Sequence, residues 1–263
     1  MTELLTLVLL GVIEGITEFL PISSTGHLLI AEHWLGRRSD MFNIVIQAGA
    51  ILAVVLIYRQ RLWQLATGLR DARNRDYALK LAVAFAVTAA LGFVATKLGF
   101  KLPETVTPIA WALILGGVWM MGAEALAARR SERSEITWRV AILVGLAQVV
   151  AAVFPGTSRS AATIFVAMLA GTGNRSAATE FAFLVGIPTM FAASGYELLK
   201  TLGGSAAHED WSALAIAFTV SLVTAFIAVK WLLGYIRTHR FTAFAIYRIV
   251  LGVVLLAALP AGG

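Results

Sequence analysis

The chain has 263 residues, 59% hydrophobic and 14% charged, against roughly 45–50% and about 25% in soluble domains; with a mean hydropathy of +0.82, this excludes an ordinary soluble globular domain and makes lipid the outer solvent. Lys and Arg number 21 against 15 Asp and Glu, a net charge of +6, but the excess sits in loops and forms no periodic basic stripe, so it orients a polytopic protein and does not point to nucleic acid. The absence of cysteine excludes a disulfide framework, a thiolate metal site and a cysteine nucleophile.

The apolar N-terminus from Leu4 lacks a basic n-region and a small-residue cleavage site and contains Glu14 and Glu18, so it is expected to stay in the mature chain. The stretch 3–34 is apolar but broken by PISSTGH. Crossings follow near 42–58, 78–96 and 109–127. A second broken stretch, 140–170, is interrupted by FPGTSRS, and further crossings follow near 180–199, 212–235 and 243–260. The spans are expected to be helices, because lipid leaves no partner for open strand edges. Non-helical backbone at membrane depth needs protein or a water-filled cavity around it, so both broken stretches are expected to form re-entrant helix–loop–helix hairpins.

With hairpins that return to the side they entered from, the loops near 59–77, 128–139, 171–179 and 236–242 share one side and carry twelve arginines. The opposite loops carry five basic residues, Arg37, Arg38, Lys97, Lys101 and Lys200. The positive-inside rule then puts the arginine-rich side in the cytoplasm and both termini outside. Trp34, Trp63, Trp138, Trp211 and Trp231 fall near predicted helix ends, as interface anchors do.

An ungapped offset of 134 residues lays Gly11 on Gly145, Glu14 on Gln148, Pro21 on Pro155 and Ser24 on Ser158. Both segments read as an apolar arm, a proline turn, a hydroxyl-rich loop and a second arm. Duplication explains this, and one hairpin plus three crossings per unit, an odd number of spans, places the second unit upside down. The expectation is an all-α polytopic membrane protein, a single integral domain over 1–263, with six transmembrane helices and two re-entrant hairpins arranged as an inverted repeat of about 3–127 and 137–260. The two hydroxyl-rich loops should then meet.

Glu14 and Glu18 are four apart and share a helix face. An ionised group at bilayer depth costs about 2.5–3.5 kcal/mol or more, so something polar must face them. Two carboxylates suit a hard divalent cation or a proton acceptor, and both roles stay open. Ser23, Ser24, Thr25 and His27 follow in one short turn and supply hydroxyl nucleophile candidates beside a group that titrates near neutrality; capping of the next helix is the plainer role for the hydroxyls. In PGTSRSA, Gly156 permits close backbone approach, Thr157, Ser158 and Ser160 offer donors, and Arg159 presents a cationic fork suited to phosphate. Arg159 needs an anionic partner, either one of the two glutamates or a phosphate ligand. Glu124, Glu180, Glu197, Lys230 and Arg248 are expected near helix ends, snorkelling or paired between helices.

EGITEFLPISSTGH, FNIVIQAGAILAVV, PGTSRSAATI, EFAFLVGIP and FAIYRIV together resemble the undecaprenyl-diphosphate phosphatases, also called bacitracin-resistance proteins, over residue 3 to about 255. The resemblance implies hydrolysis of undecaprenyl diphosphate to the monophosphate and phosphate, recycling the lipid carrier of cell-wall synthesis and giving bacitracin resistance. It implies a divalent cation, Mg or Ca, at Glu14 and Glu18, a polyprenyl diphosphate and membrane lipid as partners, and an outward-facing site in the bacterial inner membrane. A homodimer is left open. By motif, Glu14 and Glu18 match the acidic pair, Ser24 the proposed nucleophile, Thr25 and His27 its neighbours, and Ser158 and Arg159 the phosphate-binding loop. Ala161 and Ala182 depart from the glycine and serine usual at those places, which touches substrate fit more than chemistry. The mechanism implied is attack by Ser24 with His27 or Glu18 taking its proton, or attack by metal-activated water. A prenyl-phosphate flippase or transporter on the same inverted repeat is the competing class.

Overall fold

In a computed structural model the chain is described over residues 3–98, 105–129, 131–203 and 210–258. Among these residues there are eleven helices: α1 (Glu3–Thr17), α2 (Ser24–Leu35), α3 (Asp40–Ile57), α4 (Arg59–Thr67), α5 (Ala72–Lys97), α6 (Val106–Ala127), α7 (Trp138–Val153), α8 (Arg159–Ala170), α9 (Arg175–Gly203), α10 (Trp211–Tyr235) and α11 (Thr242–Ala258). Side-chain oxygens start many of them. Ser39 accepts from the Phe42 N–H at 3.1 Å, Thr137 from Val140 at 3.2 Å, and Asn174 from Ala177 at 3.0 Å, satisfying donors that a helix start leaves free.

Among the described residues, five helices are long and apolar enough to cross a membrane: 40–57, 72–95, 106–127, 175–196 and 211–235. They coincide with the first five predicted crossings, but α5 and α9 begin earlier, inside segments read as loops. The sixth expected crossing is α11, apolar and 17 residues long, about 26 Å at 1.5 Å per residue. The arginine-rich segment 59–77 is also not a plain loop, because α4 lies within it and tucks Leu65 inside while Trp63 stays exposed. Lys101 and Arg130, counted for orientation, and the side chains of Glu197 and Lys200 lie outside the described residues.

Glycines let the helices approach one another backbone to backbone, which suits a bundle whose association is driven by close packing in place of the hydrophobic effect. A Cβ on Gly11 or Gly15 of α1 would stand 2.9 or 2.7 Å from the carbonyl oxygens of Ala217 and Ser221 of α10. Gly145 of α7 meets the Ala84 carbonyl of α5 in the same way, at 2.6 Å. Between α6 and α11 the contact is reciprocal, since Gly117 faces the Ala245 carbonyl and Gly252 faces the Ala110 carbonyl. The main core gathers Phe165, Phe181, Phe183, Phe241, Ile51 and Val54. Outward faces are apolar too, with Phe93, Leu115, Val118 and Ile227 exposed.

Glu124 joins three helices. It accepts from Arg175 Nε at 3.1 Å, from the Phe241 N–H at 3.0 Å and from Thr242 Oγ1 at 3.2 Å. Glu180 pairs with Arg61 at 3.3 Å and accepts from the Tyr77 hydroxyl at 3.4 Å. Both match the interhelical pairing expected of them. Arg248 does not, because it lies in the middle of α11 and is fully buried.

Candidate active site

Helix α1 ends where Glu18 begins a turn that runs to Ser23. Phe19 pins this turn to the core by an edge-on contact with Phe183, ring centroids 5.1 Å apart. Ser23 then takes φ +76°, and its hydroxyl accepts from the Gly26 N–H at 3.4 Å to open α2. The second loop is built alike. Gly156 at φ +90° passes so close to α6 that a Cβ would lie 2.9 Å from that of Ala112. Ser158, at φ +66°, accepts from the Ala161 N–H at 3.3 Å and opens α8. The two serines with positive φ are therefore the structural counterparts. The second loop carries one more residue between its proline and its capping serine, so Ser23, not Ser24, corresponds to Ser158, and Ser24 corresponds to Arg159.

The loops meet. Arg159 Nη2 donates to Glu18 Oε1, and Ser24 Oγ donates to Glu18 Oε2. One carboxylate thus holds the hydroxyl of the first loop and the guanidinium of the second. The Glu18 side chain is 3% exposed and that of Arg159 27%, so the carboxylate is inside while the cation reaches outward. Ser160 Oγ donates to the Leu20 carbonyl at 2.9 Å, a second tie between the loops. Its single proton is used there, so Ser158 Oγ is the donor in the 3.1 Å contact between the two hydroxyls.

Glu14 is buried beside Glu18, one helical turn earlier in the chain, and among the described residues its Oε2 has no hydrogen-bond partner. Gln148 of the second half is buried as well. It donates to Thr88 Oγ1 at 3.0 Å, while its Oε1 is also without a partner among the described residues. Among the described residues, no group of three or more His, Asp or Glu converges as a metal cage. Two neighbouring carboxylates with a buried oxygen left over nevertheless suit a hard cation that takes its remaining ligands from water or substrate.

His27 is occupied elsewhere. Its Nδ1 lies 2.7 Å from the Ser23 carbonyl and its Nε2 lies 2.7 Å from the Tyr247 hydroxyl, with the two rings stacked at 5.6 Å. A carbonyl only accepts, so Nδ1 carries the proton. Ser24 is bonded to Glu18 and not to His27. Thr25 is exposed at the first turn of α2, and the Thr157 N–H turns inward to the Phe154 carbonyl at 3.2 Å. Tyr247 is a contact that the sequence did not flag. FAIYRIV was its only signal, as a motif without an assigned role.

A cavity of about 490 Å³ lies away from both loops, lined by Arg61, Arg73, Asp76, Tyr77, Lys80 and Glu180 among others. Within it Arg61 pairs with Glu180 and Lys80 with Asp76 at 2.5 Å. The chemistry-bearing cluster, by contrast, is the junction of the loops.

The family described as bacitracin resistance protein BacA matches residues 7–254. An undecaprenyl-diphosphatase of Rhizobium etli (strain CIAT 652) is 74% identical over 255 residues, covering 97% of this chain and 96% of that protein. An undecaprenyl-diphosphatase of Xanthomonas euvesicatoria pv. vesicatoria is 64% identical over 262 residues and 99% of each chain. With the match running through both loops and all eleven helices, the chain belongs to the bacitracin resistance protein family.

Proposed function

We propose that this chain is an integral-membrane phosphatase that hydrolyses undecaprenyl diphosphate to undecaprenyl phosphate and inorganic phosphate, recycling the carrier lipid of cell-wall synthesis and conferring bacitracin resistance. The observation that carries this is Glu18, whose two oxygens hold a nucleophile candidate and a phosphate-binding cation on opposite loops. The names of the relatives from Rhizobium etli and Xanthomonas support the substrate. Both of these names are of diphosphatases, not of flippases.

The prenyl tail stays in lipid while the diphosphate enters between the loops. Arg159 trades part of its contact with Glu18 for phosphate oxygens, and charge stabilisation of this kind supplies much of the rate in phosphoryl transfer. Ser24 Oγ attacks the terminal phosphorus as Glu18 takes its proton; the bridging P–O bond breaks and undecaprenyl phosphate leaves. Water then hydrolyses the phosphoserine and releases phosphate. The hydrogen bond from Ser24 favours Glu18 over His27 as the base. A divalent cation, Mg or Ca, held by Glu14 and Glu18 would add neutralising charge beside the phosphates.

In the membrane, α1–α2 and α7–α8 form the re-entrant hairpins. At 12 residues each, α2 and α8 reach about 18 Å, short of the roughly 30 Å hydrocarbon core. Helices α3, α5, α6, α9, α10 and α11 then make six crossings. The matching glycine contacts of α1 with α10 and of α7 with α5, and the reciprocal one of α6 with α11, support an inverted repeat. The arginine-rich loops face the cytoplasm and the site opens to the exterior of the inner membrane.

The test is phosphate release from undecaprenyl diphosphate by the purified chain in detergent, with trapping of a phosphoryl group. Release by the parent, loss in Ser24→Ala and label on Ser24 are expected. No release by the parent would end the phosphatase reading, and near-parental turnover in Ser24→Ala would transfer the attack to water.

A further inference from the structure

Arg248 stands where a guanidinium is hardest to explain, fully buried in the middle of an apolar helix. None of the ion pairs among the described residues includes it. Its partners are backbone carbonyls. Nε donates to Leu113 at 3.5 Å; Nη1 donates to Thr157 at 3.0 Å and to Pro21 at 3.5 Å; Nη2 donates to Gly156 at 2.9 Å and to Ala112 at 3.1 Å. A guanidinium has five N–H donors, and here each one has a carbonyl. Three of these carbonyls belong to the loops themselves, Pro21 to the first and Gly156 and Thr157 to the second. The other two lie on α6.

We infer that Arg248 is a positioning residue for the phosphatase reaction, a five-donor strap that fixes the two active-site loops against each other and against α6 and leaves an uncompensated positive charge beneath the anion. The inference rests on the proposed phosphatase activity. A carbonyl and the N–H of the same planar peptide point opposite ways. Drawing the Thr157 carbonyl down to Arg248 therefore turns the Ser158 N–H to the other face, next to Arg159. On the first loop, the same pull at Pro21 anchors the turn between Glu18 and Ser24. The fork geometry matters as much as the charge, because an ammonium concentrates its donors at one point and cannot span both loops. Gly116 of α6 completes the device. A Cβ there would overlap Arg248 Nη2, so Gly116→Ala displaces the strap while keeping its charge.

The chain has no cysteine, so spin labels at Thr25→Cys and Phe154→Cys, both exposed, report the separation of the loops with no background. Arg248→Lys, Arg248→Met and Gly116→Ala are compared with the parent for kcat and KM on undecaprenyl diphosphate and for the label distance distribution. Small misplacements of reacting groups lower rates by about 100-fold, so Arg248→Lys is expected to lose about that factor in kcat, with KM within about 3-fold and a broadened distribution. Gly116→Ala should show the same pattern more weakly, and it decides the matter if Arg248→Met does not fold. Parental distances with kcat within about 3-fold in Arg248→Lys would overturn the inference, as would a rise in KM alone, which would make Arg248 only a source of charge. If the parent releases no phosphate, the activity fails as a reading, while the distance distributions still decide whether Arg248 holds the loops.

Discussion

Replacing Glu18 by Gln removes one charge and one acceptor without changing the size of the side chain. In the parent, Oε2 accepts from Ser24 and Oε1 from Arg159. The amide keeps a single acceptor oxygen and has no capacity to take a proton at neutral pH. General-base catalysis contributes about 10²–10⁴-fold, so kcat should fall by that factor, a barrier increase of about 2.7–5.4 kcal/mol at 1.36 kcal/mol per decade. Stability should change less. Breaking a fully buried ion pair by removing one partner costs about 3–5 kcal/mol, but the Arg159 side chain is 27% exposed and water takes over part of its solvation, leaving about 1–3 kcal/mol. Phosphate release and thermal unfolding in detergent separate the two effects. A folded Glu18→Gln protein with kcat within about ten-fold of the parent would refute the assignment of Glu18 as the base.

Other expectations are as direct. Gly15→Ala places a Cβ 2.7 Å from the Ser221 carbonyl and 2.8 Å from Thr224 Cβ; overpacking of this kind destabilises by about 1–3 kcal/mol, so the unfolding temperature should drop, and activity with it, since α1 carries Glu14 and leads directly into the turn at Glu18. Glu124→Ala strands the Phe241 N–H and the partly buried Arg175, at about 1–3 kcal/mol; the unfolding temperature should fall while kcat of the remaining folded protein stays parental, and a selective loss of kcat would show that Glu124 belongs to the site. Tyr247→Phe deletes the 2.7 Å contact to His27 Nε2, worth about 0.5–1.5 kcal/mol; up to about ten-fold in kcat/KM is expected, and no change would leave Tyr247 as a ring contact alone.

The acidic pair, the two hydroxyl-rich loops and five long apolar helices were legible because each is a local pattern: a spacing of four, a proline turn, a run of apolar residues. What escaped depends on register between distant segments. Arg248 looked like one more charge near a helix end; only the packing of α11 against α6 places it beneath both loops. Ser160 reads in sequence as a donor for substrate; only the fold shows its hydroxyl donating to a carbonyl 140 positions away in sequence. The ungapped alignment paired Ser24 with Ser158, because a single inserted residue is invisible among so many small side chains. Helix α4 was hidden by its arginines, which mask an apolar face as narrow as Leu65.

Two ordinary L-residues, Ser23 and Ser158, carry backbone angles that favour glycine, each at a price of about 1–3 kcal/mol. Directed selection for heat tolerance would be drawn to Ser23→Gly and Ser158→Gly, which relax the chain, yet either change surrenders a helix cap and loosens the bend that aims Ser24 or Arg159. Robustness and turnover should therefore diverge at these two corners, and thermostable variants of this protein that keep their speed will have gained their tolerance along the lipid-facing helices instead.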